Sequence, residues 1–290
     1  MKYPSALILG LLGVAVALPV CADTLTVSAS TDTWIFSESP TFSQFGDFHG
    51  LAAGVNAHDS PMRALFKFDL SQIPTNATVT SAAVSLVAQK QNFSAQTATF
   101  ELHRLIQPWV ATEATWNNRT ADASWSAPGA GAEDDYSLTI SASNVVSDAF
   151  GTTYVFGSTA DTIADVQAWV NDSTANNGWI FKVSDETVIP TSRRWGSTTI
   201  GNAASLTVIY TASAPPPQQP TLSAASAANG QLQFTFNAEA NRTYTVESRP
   251  AFDSSTWGTL TTFSAANEPT NYTVIDPIAE VTKFYRVKTP

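Results

Sequence analysis

The sequence predicts an all-β protein: a jelly-roll-like β-sandwich with one short crossing helix, followed by a smaller immunoglobulin-like β-sandwich. Three observations predict it. Short apolar runs alternate with polar residues along most of the chain, the period of half-buried strands. Only one stretch carries helical spacing. A proline-rich break, Ala214-Pro215-Pro216-Pro217-Gln218-Gln219-Pro220, divides the chain, because consecutive prolines favour an extended strut with few backbone donors. The expected domains are therefore 23–212 and 221–290, joined by a linker at 213–220.

The N-terminus reads as an export signal. Lys2 is followed by an apolar run from Ala6 to Leu18, then Pro19 and the small residues Val20 and Ala22, which suit a signal-peptidase site before Asp23. A signal peptide at 1–22 implies a secreted, extracellular protein with no membrane insertion after cleavage. The run is short of the roughly 20 apolar residues a membrane span needs. Lipid attachment at Cys21 is the alternative, although Val20 is larger than the residue that processing prefers. Cys21 is the only cysteine, so a chain cut at Ala22 has no disulfide and rests on its core.

In the first domain Asp32-Thr33-Trp34-Ile35-Phe36 is a short aromatic strand. From Arg63 to Leu70, Ala64, Phe66, Phe68 and Leu70 share one face, and Arg63, Leu65, Lys67 and Asp69 the other. Strands are also expected at Ala83 to Ala88, Thr99 to Leu105, Leu138 to Ser141, Gly178 to Ser184 and Ser205 to Tyr210. Asn176-Asn177-Gly178 is a turn signal. The helix carries Ile163, Val166 and Val170 on one face, with Ser158 or Thr159 as its cap. The second domain reads as strands at Gln231 to Asn237, Thr243 to Ser248, Trp257 to Phe263, Asn271 to Ile275 and Lys283 to Lys288.

Charge narrows the partners. The chain has 14 basic and 24 acidic residues, and 18 of the acidic ones fall in 23–212. An acidic chain without a basic stripe is a poor nucleic-acid binder and a poor match for an anionic membrane.

A set of segments in order suggests more. They are Arg63-Ala64-Leu65-Phe66-Lys67-Phe68-Asp69-Leu70-Ser71-Gln72-Ile73-Pro74, Ala77-Thr78-Val79-Thr80-Ser81-Ala82, His103-Arg104-Leu105, Trp109, Thr115-Trp116-Asn117, Trp169 through Asn176-Asn177-Gly178-Trp179, and Ser192-Arg193-Arg194. Together they resemble the DNRLRE domain, also classed as carbohydrate-binding module family 96, over about residues 26–212. The resemblance implies a β-sandwich of secreted bacterial proteins that binds polysaccharide, in some members an acidic one such as alginate. One step departs from it: Arg194 stands where members commonly carry a glutamate. The second domain, with Tyr244-Thr245-Val246-Glu247-Ser248 and Phe284-Tyr285-Arg286-Val287, is similar to small C-terminal sandwiches of secreted bacterial proteins and implies no chemistry.

Sugar recognition uses an aromatic face against the ring and polar groups for the hydroxyls. An acidic sugar adds a need for Arg or Lys. The expected ligand set is Arg63, Lys67, Arg104, Trp116 and Arg193, with Arg119 and Arg194 as further cations and Trp109, Trp125 and Trp195 as further aromatics near loops. Trp116, beside Asn117-Asn118, is expected to be exposed, and Trp34, Trp169 and Trp179 to be core. The competing structural expectation pairs Arg63 and Lys67 with Asp69 or Glu101. No cofactor is implied. A structural calcium is a candidate at Glu133-Asp134-Asp135 or around Asp47, His49, His58 and Asp59, without EF-hand spacing. No nucleophile elbow, phosphate loop or zinc-protease motif is present, so a non-enzymatic role is expected. A structural envelope or matrix protein is the alternative, and a polysaccharide lyase or hydrolase the next.

Overall fold

The computed structural model describes residues 22–91, 95–147, 150–212, 218–223, 225–251, 256–278 and 283–289. Residues 1–21 of the expected signal peptide and 213–217 of the expected linker lie outside the described residues. The described residues form two compact units, 22–212 and 218–289.

The larger unit runs β1 (Ala22–Phe36), β2 (Leu51–Val55), β3 (Pro61–Phe68), β4 (Thr78–Gln91), β5 (Ala98–Leu105), β6 (Asn118–Thr120), β7 (Ala123–Ser124), β8 (Tyr136–Val146), β9 (Thr153–Gly157), α1 (Ala160–Asn171), β10 (Trp179–Val183), β11 (Arg193–Trp195) and β12 (Ser205–Thr211). All strands except the β6–β7 hairpin join one antiparallel hydrogen-bonded system. β1 belongs to both halves of it. Its residues Ala22 to Ser28 pair with β12, and Ala29 to Phe36 pair with β3 after a register shift at Ala29/Thr31. One layer is thus β9-β4-β12-β1, and the other is β1-β3-β10-β5-β8. β11 pairs with both β4 and β2, and β2 with β3, which links the layers again.

Alternation decides what fills the space between them. Ala64, Phe66 and Phe68 of β3 are buried in the main core with Val84 and Leu86 of β4, Phe156 of β9 and Leu206 and Val208 of β12. Aromatic rings join the layers: Phe156 of β9 meets Phe181 of β10 edge-on at 5.2 Å, and Trp195 of β11 meets the same ring edge-on at 5.0 Å. Each fully buried large ring stabilises by about 2–3 kcal/mol through removal from water. Trp34, Trp169 and Trp179 are core, as their setting predicts. Trp109, Trp125 and Trp195, the further aromatics near loops, are buried too.

Helix α1 starts at Thr159, whose hydroxyl accepts from the Thr162 N–H while the Thr162 hydroxyl accepts in return, a capping box. Its buried stripe is Thr162, Asp165, Val166, Trp169 and Val170, with Ile163 at its margin. Asp165 is held inside by the Ser141 hydroxyl at 2.6 Å and the Trp179 indole N–H at 2.9 Å.

A second cluster lies on the other face of β3, β5 and β10. Leu65, Leu105 and Ile180 are covered there by Trp109, Ala111, Ala114, Trp125 and Ala130 from the connection between β5 and β8. That connection is tied down by Asp135, which accepts from the backbone N–H groups of Ser126, Ala127 and Ala132. Sequence periodicity gives no sign of this cover.

The smaller unit has β13 (Ser226–Ala228), β14 (Gln231–Ala238), β15 (Tyr244–Arg249), β16 (Gly258–Phe263), β17 (Thr270–Pro277) and β18 (Phe284–Lys288). Two three-stranded antiparallel sheets, β13-β14-β17 and β16-β15-β18, share a core of Phe234, Phe236, Tyr244, Val246, Val274, Tyr285 and Val287. It is a small β-sandwich.

Candidate functional site

The five residues expected to bind ligand do not form one surface. Arg63 is 9% exposed. Its guanidinium donates twice to Glu186, at 2.8 and 2.6 Å, and once to the Gly129 carbonyl at 2.7 Å. Its partner is therefore neither Asp69 nor Glu101. Trp116 lies 5.1 Å from the same guanidinium and packs on the second cluster. Its ring also lies against Gly129, where a Cβ would come within 2.5 Å of it. Trp116 is half-buried, not the open platform its asparagine neighbours suggest.

Arg193 is 2% exposed. It donates to the carbonyls of Thr191 and Gln96 at 2.8 Å each, which closes two loops on one another. Arg104 keeps 39% of its side chain exposed and lies 3.5 Å from Asp165. Arg194 pairs with Asp47 at 2.8 Å and covers the Trp34 ring at 4.6 Å. Arg119 donates to the Pro108 carbonyl. The guanidinium groups hold the fold together, since a fork of donors satisfies several buried acceptors at once.

Lys67 differs. Its ammonium sits 5.8 Å from the Trp109 ring centroid, and it lines an open cleft of about 500 Å³. The cleft lies between the end of β3 with its following loop and the C-terminal end of α1 with its following turn. Its apolar wall is Phe68, Leu70, Ile73, Trp169 and Val170, and its polar groups include Ser30, Asp69, Ser71, Asn171, Asp172 and Asn176. The Asn176-Asn177-Gly178 turn builds one side. The Asn176 side-chain amide donates to the Phe68 carbonyl at 2.9 Å, and the Trp109 indole donates to the Asn177 carbonyl at 2.8 Å. Gly178 has φ +73° and lies so close to β3 that a Cβ would meet the Phe66 carbonyl oxygen.

Electrostatically the cleft holds one cation and two carboxylates. Hydrogen bonds from the Thr174 hydroxyl and N–H hold Asp172 below the usual carboxylate range, and the Ser71 N–H does the same for Asp69. Both are ionised at neutral pH. An apolar wall with hydroxyls, amides and a few charges can receive the two sides of a sugar, its C–H face and its hydroxyl edge.

The model of carbohydrate-binding module family 96 matches residues 23–177. The chain belongs to this family. Every residue lining the cleft falls inside the matched stretch. The strands that follow it, β10 to β12, complete the sandwich of this unit beyond the match, and Arg193 and Arg194 lie there. No curated protein matches the chain.

Sequence reasoning named Lys67 as a candidate but not its neighbours in the cleft. Asn171, Asp172 and Asn176 read only as a helix end and a turn, and Ser71 as a loop. Their meeting with Lys67 depends on the C-terminal end of α1 reaching the end of β3. Open aromatic side chains occur elsewhere in this unit: Phe42, Phe45 and Phe48 are exposed on the connection between β1 and β2. Among the described residues no three His, Cys, Asp or Glu side chains converge as a metal site. Within the acidic run, Asp135 serves as the anchor described above. No helix among the described residues is long and apolar enough to cross a membrane.

Proposed function

We propose that this is a secreted, non-catalytic polysaccharide-binding protein whose larger unit holds a sugar chain in the Lys67 cleft. Family membership supports carbohydrate as the ligand class. The single observation that carries the choice of site is the cleft itself, where Lys67 and side-chain amides and hydroxyls surround an apolar wall. The cleft has two carboxylates against one ammonium, and the guanidinium groups that could serve a polyanion are held in internal bonds. The arrangement therefore favours neutral or sparsely charged glycans over a densely charged chain such as alginate, since a polyanion would meet an unfavourable local field.

Affinity electrophoresis of the mature protein in gels cast with neutral glucans, mannan or alginate tests this. Retardation in a neutral gel is expected, with Lys67→Ala abolishing most of it and no product released from the glycan. Unretarded migration in every gel, or retardation untouched by Lys67→Ala, would refute it.

A further inference from the structure

The outer face of the β3-β10-β5-β8 layer carries a polar row that the cleft does not use. Lys182 of β10 is directly opposite Glu101 of β5, and Glu101 is opposite Ser143 of β8. The pairing of Ile180 with Leu65 and of Phe181 with Ala64 carries on to set Lys182 beside Arg63. Alternation puts all four on the side of Leu65 and Ile180, away from the main core. Arg63 is covered by Glu186, Gly129 and Trp116, and strands about 4.8 Å apart set the remaining three, Lys182, Glu101 and Ser143, in a row roughly 10 Å long, enough for a short oligosaccharide lying across the strands.

Lys182 is the unmatched member. It is half-buried, yet among the described residues its ammonium makes no hydrogen bond and no ion pair within 4.0 Å. The two nearest carboxylates are turned to other groups: Glu186 to Arg63 at 2.6 Å, and Glu101 to His103 at 3.2 Å. His103 in turn contacts the Ser137 carbonyl at 3.0 Å and the Tyr136 ring. Burial lowers the pKa of Lys182; Glu186 and Glu101 oppose this and Arg63 adds to it. An ammonium has three donors and a carboxylate about four acceptor sites, so unused capacity of both kinds lies side by side here.

We propose that this row is a second sugar-binding surface, on which Lys182 donates to one hydroxyl of a neutral pyranose while Glu101 accepts from its neighbour. Adjacent ring hydroxyls each donate and accept, so one diol satisfies both groups. A lone ammonium would also attract an anion. Glu101 and Glu186, however, flank Lys182, and both repel a uronate carboxylate. The surface thus shares its ligand class with the cleft but none of its residues.

The test compares Lys182→Met, Glu101→Gln and Lys67→Ala in the full mature chain, by retardation in gels of hydroxyethylcellulose, laminarin, mannan and alginate. Lys182→Met and Glu101→Gln should each weaken neutral-glycan retention about fivefold or more, and do so again in the Lys67→Ala background. Near-ultraviolet circular dichroism of each variant checks that the sandwich is intact. Loss confined to Lys67→Ala leaves the cleft standing and overturns the second surface. Retention in alginate alone, or unchanged retention in both new variants, overturns it as well. Absence of retention in every gel refutes both sites together.

Discussion

Arg63 and Lys67 stand four residues apart on one face of one strand, and they do opposite things. Arg63 is a structural clamp, fixed by Glu186, Gly129 and Trp116. Lys67 rests against one indole ring and lines open space. Strand period alone makes them equivalent. The difference comes from what the rest of the chain lays over each. Glu186 arrives from the loop after β10 and Gly129 from the connection between β5 and β8. Beside Lys67 the chain instead turns away at Asn176-Asn177-Gly178 and leaves a cleft. A cation on a strand is therefore a ligand candidate only after its neighbours have been counted.

The contrast can be broken at several points. Arg63→Ala should have the largest effect. It leaves the Glu186 carboxylate without its partner and uncovers Trp116, a loss of about 3 kcal/mol, seen as a lower urea midpoint at an unchanged denaturant slope. Cleft binding, read as the retention that remains in the Lys182→Met background, should stay near wild type in the folded fraction, because Arg63 does not line the cleft. Gly178→Ala should follow, at about 2–3 kcal/mol. It puts a side chain at positive φ against the β3 backbone, so both stability and cleft binding should fall. Lys67→Ala should reverse the pattern. Binding should drop roughly tenfold, about 1.4 kcal/mol, while the urea midpoint moves little. If Lys67→Ala unfolds the protein as Arg63→Ala does, the two residues are not different in kind.

Two subtler experiments address charge. Asp69→Asn and Asp172→Asn remove the carboxylates beside Lys67. Their double variant should gain retention in alginate without losing it in neutral gels; no gain would mean that these carboxylates do not set ligand charge. The smallest effect is expected from Asp165→Asn. Burial raises the Asp165 pKa, although Ser141, Trp179 and Arg104 oppose it. A raised folded pKa adds stability that is fully present below the unfolded pKa and is lost as pH rises through the folded value. Wild type should therefore gain on the asparagine variant as pH falls from 7 towards 3. At pH 7 the two should differ by less than about 1 kcal/mol, since Asn can still accept from Ser141 or Trp179. An equal pH dependence of the two midpoints would show that Asp165 is not the group responsible.

Much of this molecule is legible before folding. The alternation of Ala64, Phe66 and Phe68, the Thr159 cap, the turn at Asn176 to Gly178 and the five longer strands of the second unit all follow from local pattern. Less local elements escape it. β2 is the run Leu51–Val55, buried at every position and without alternation. β11 is three residues, Arg193–Trp195, with too little length to show a period. Both exist because two neighbours pair with them at once.

By itself, then, the sequence determines the all-β class, the helix and its cap, and the family to which residues 23–177 belong. These depend on side-chain period, on capping and turn chemistry, and on the order of short motifs, all properties of neighbouring residues. Only the tertiary structure decides which charges are available. Arg63 and Arg193 find acceptors 123 and 97 residues away in the chain, whereas Lys182 makes no ion pair among the described residues although Glu101 faces it across the strands. A charge is satisfied by whatever lies within a few ångströms in space, and distance along the chain carries no information about that.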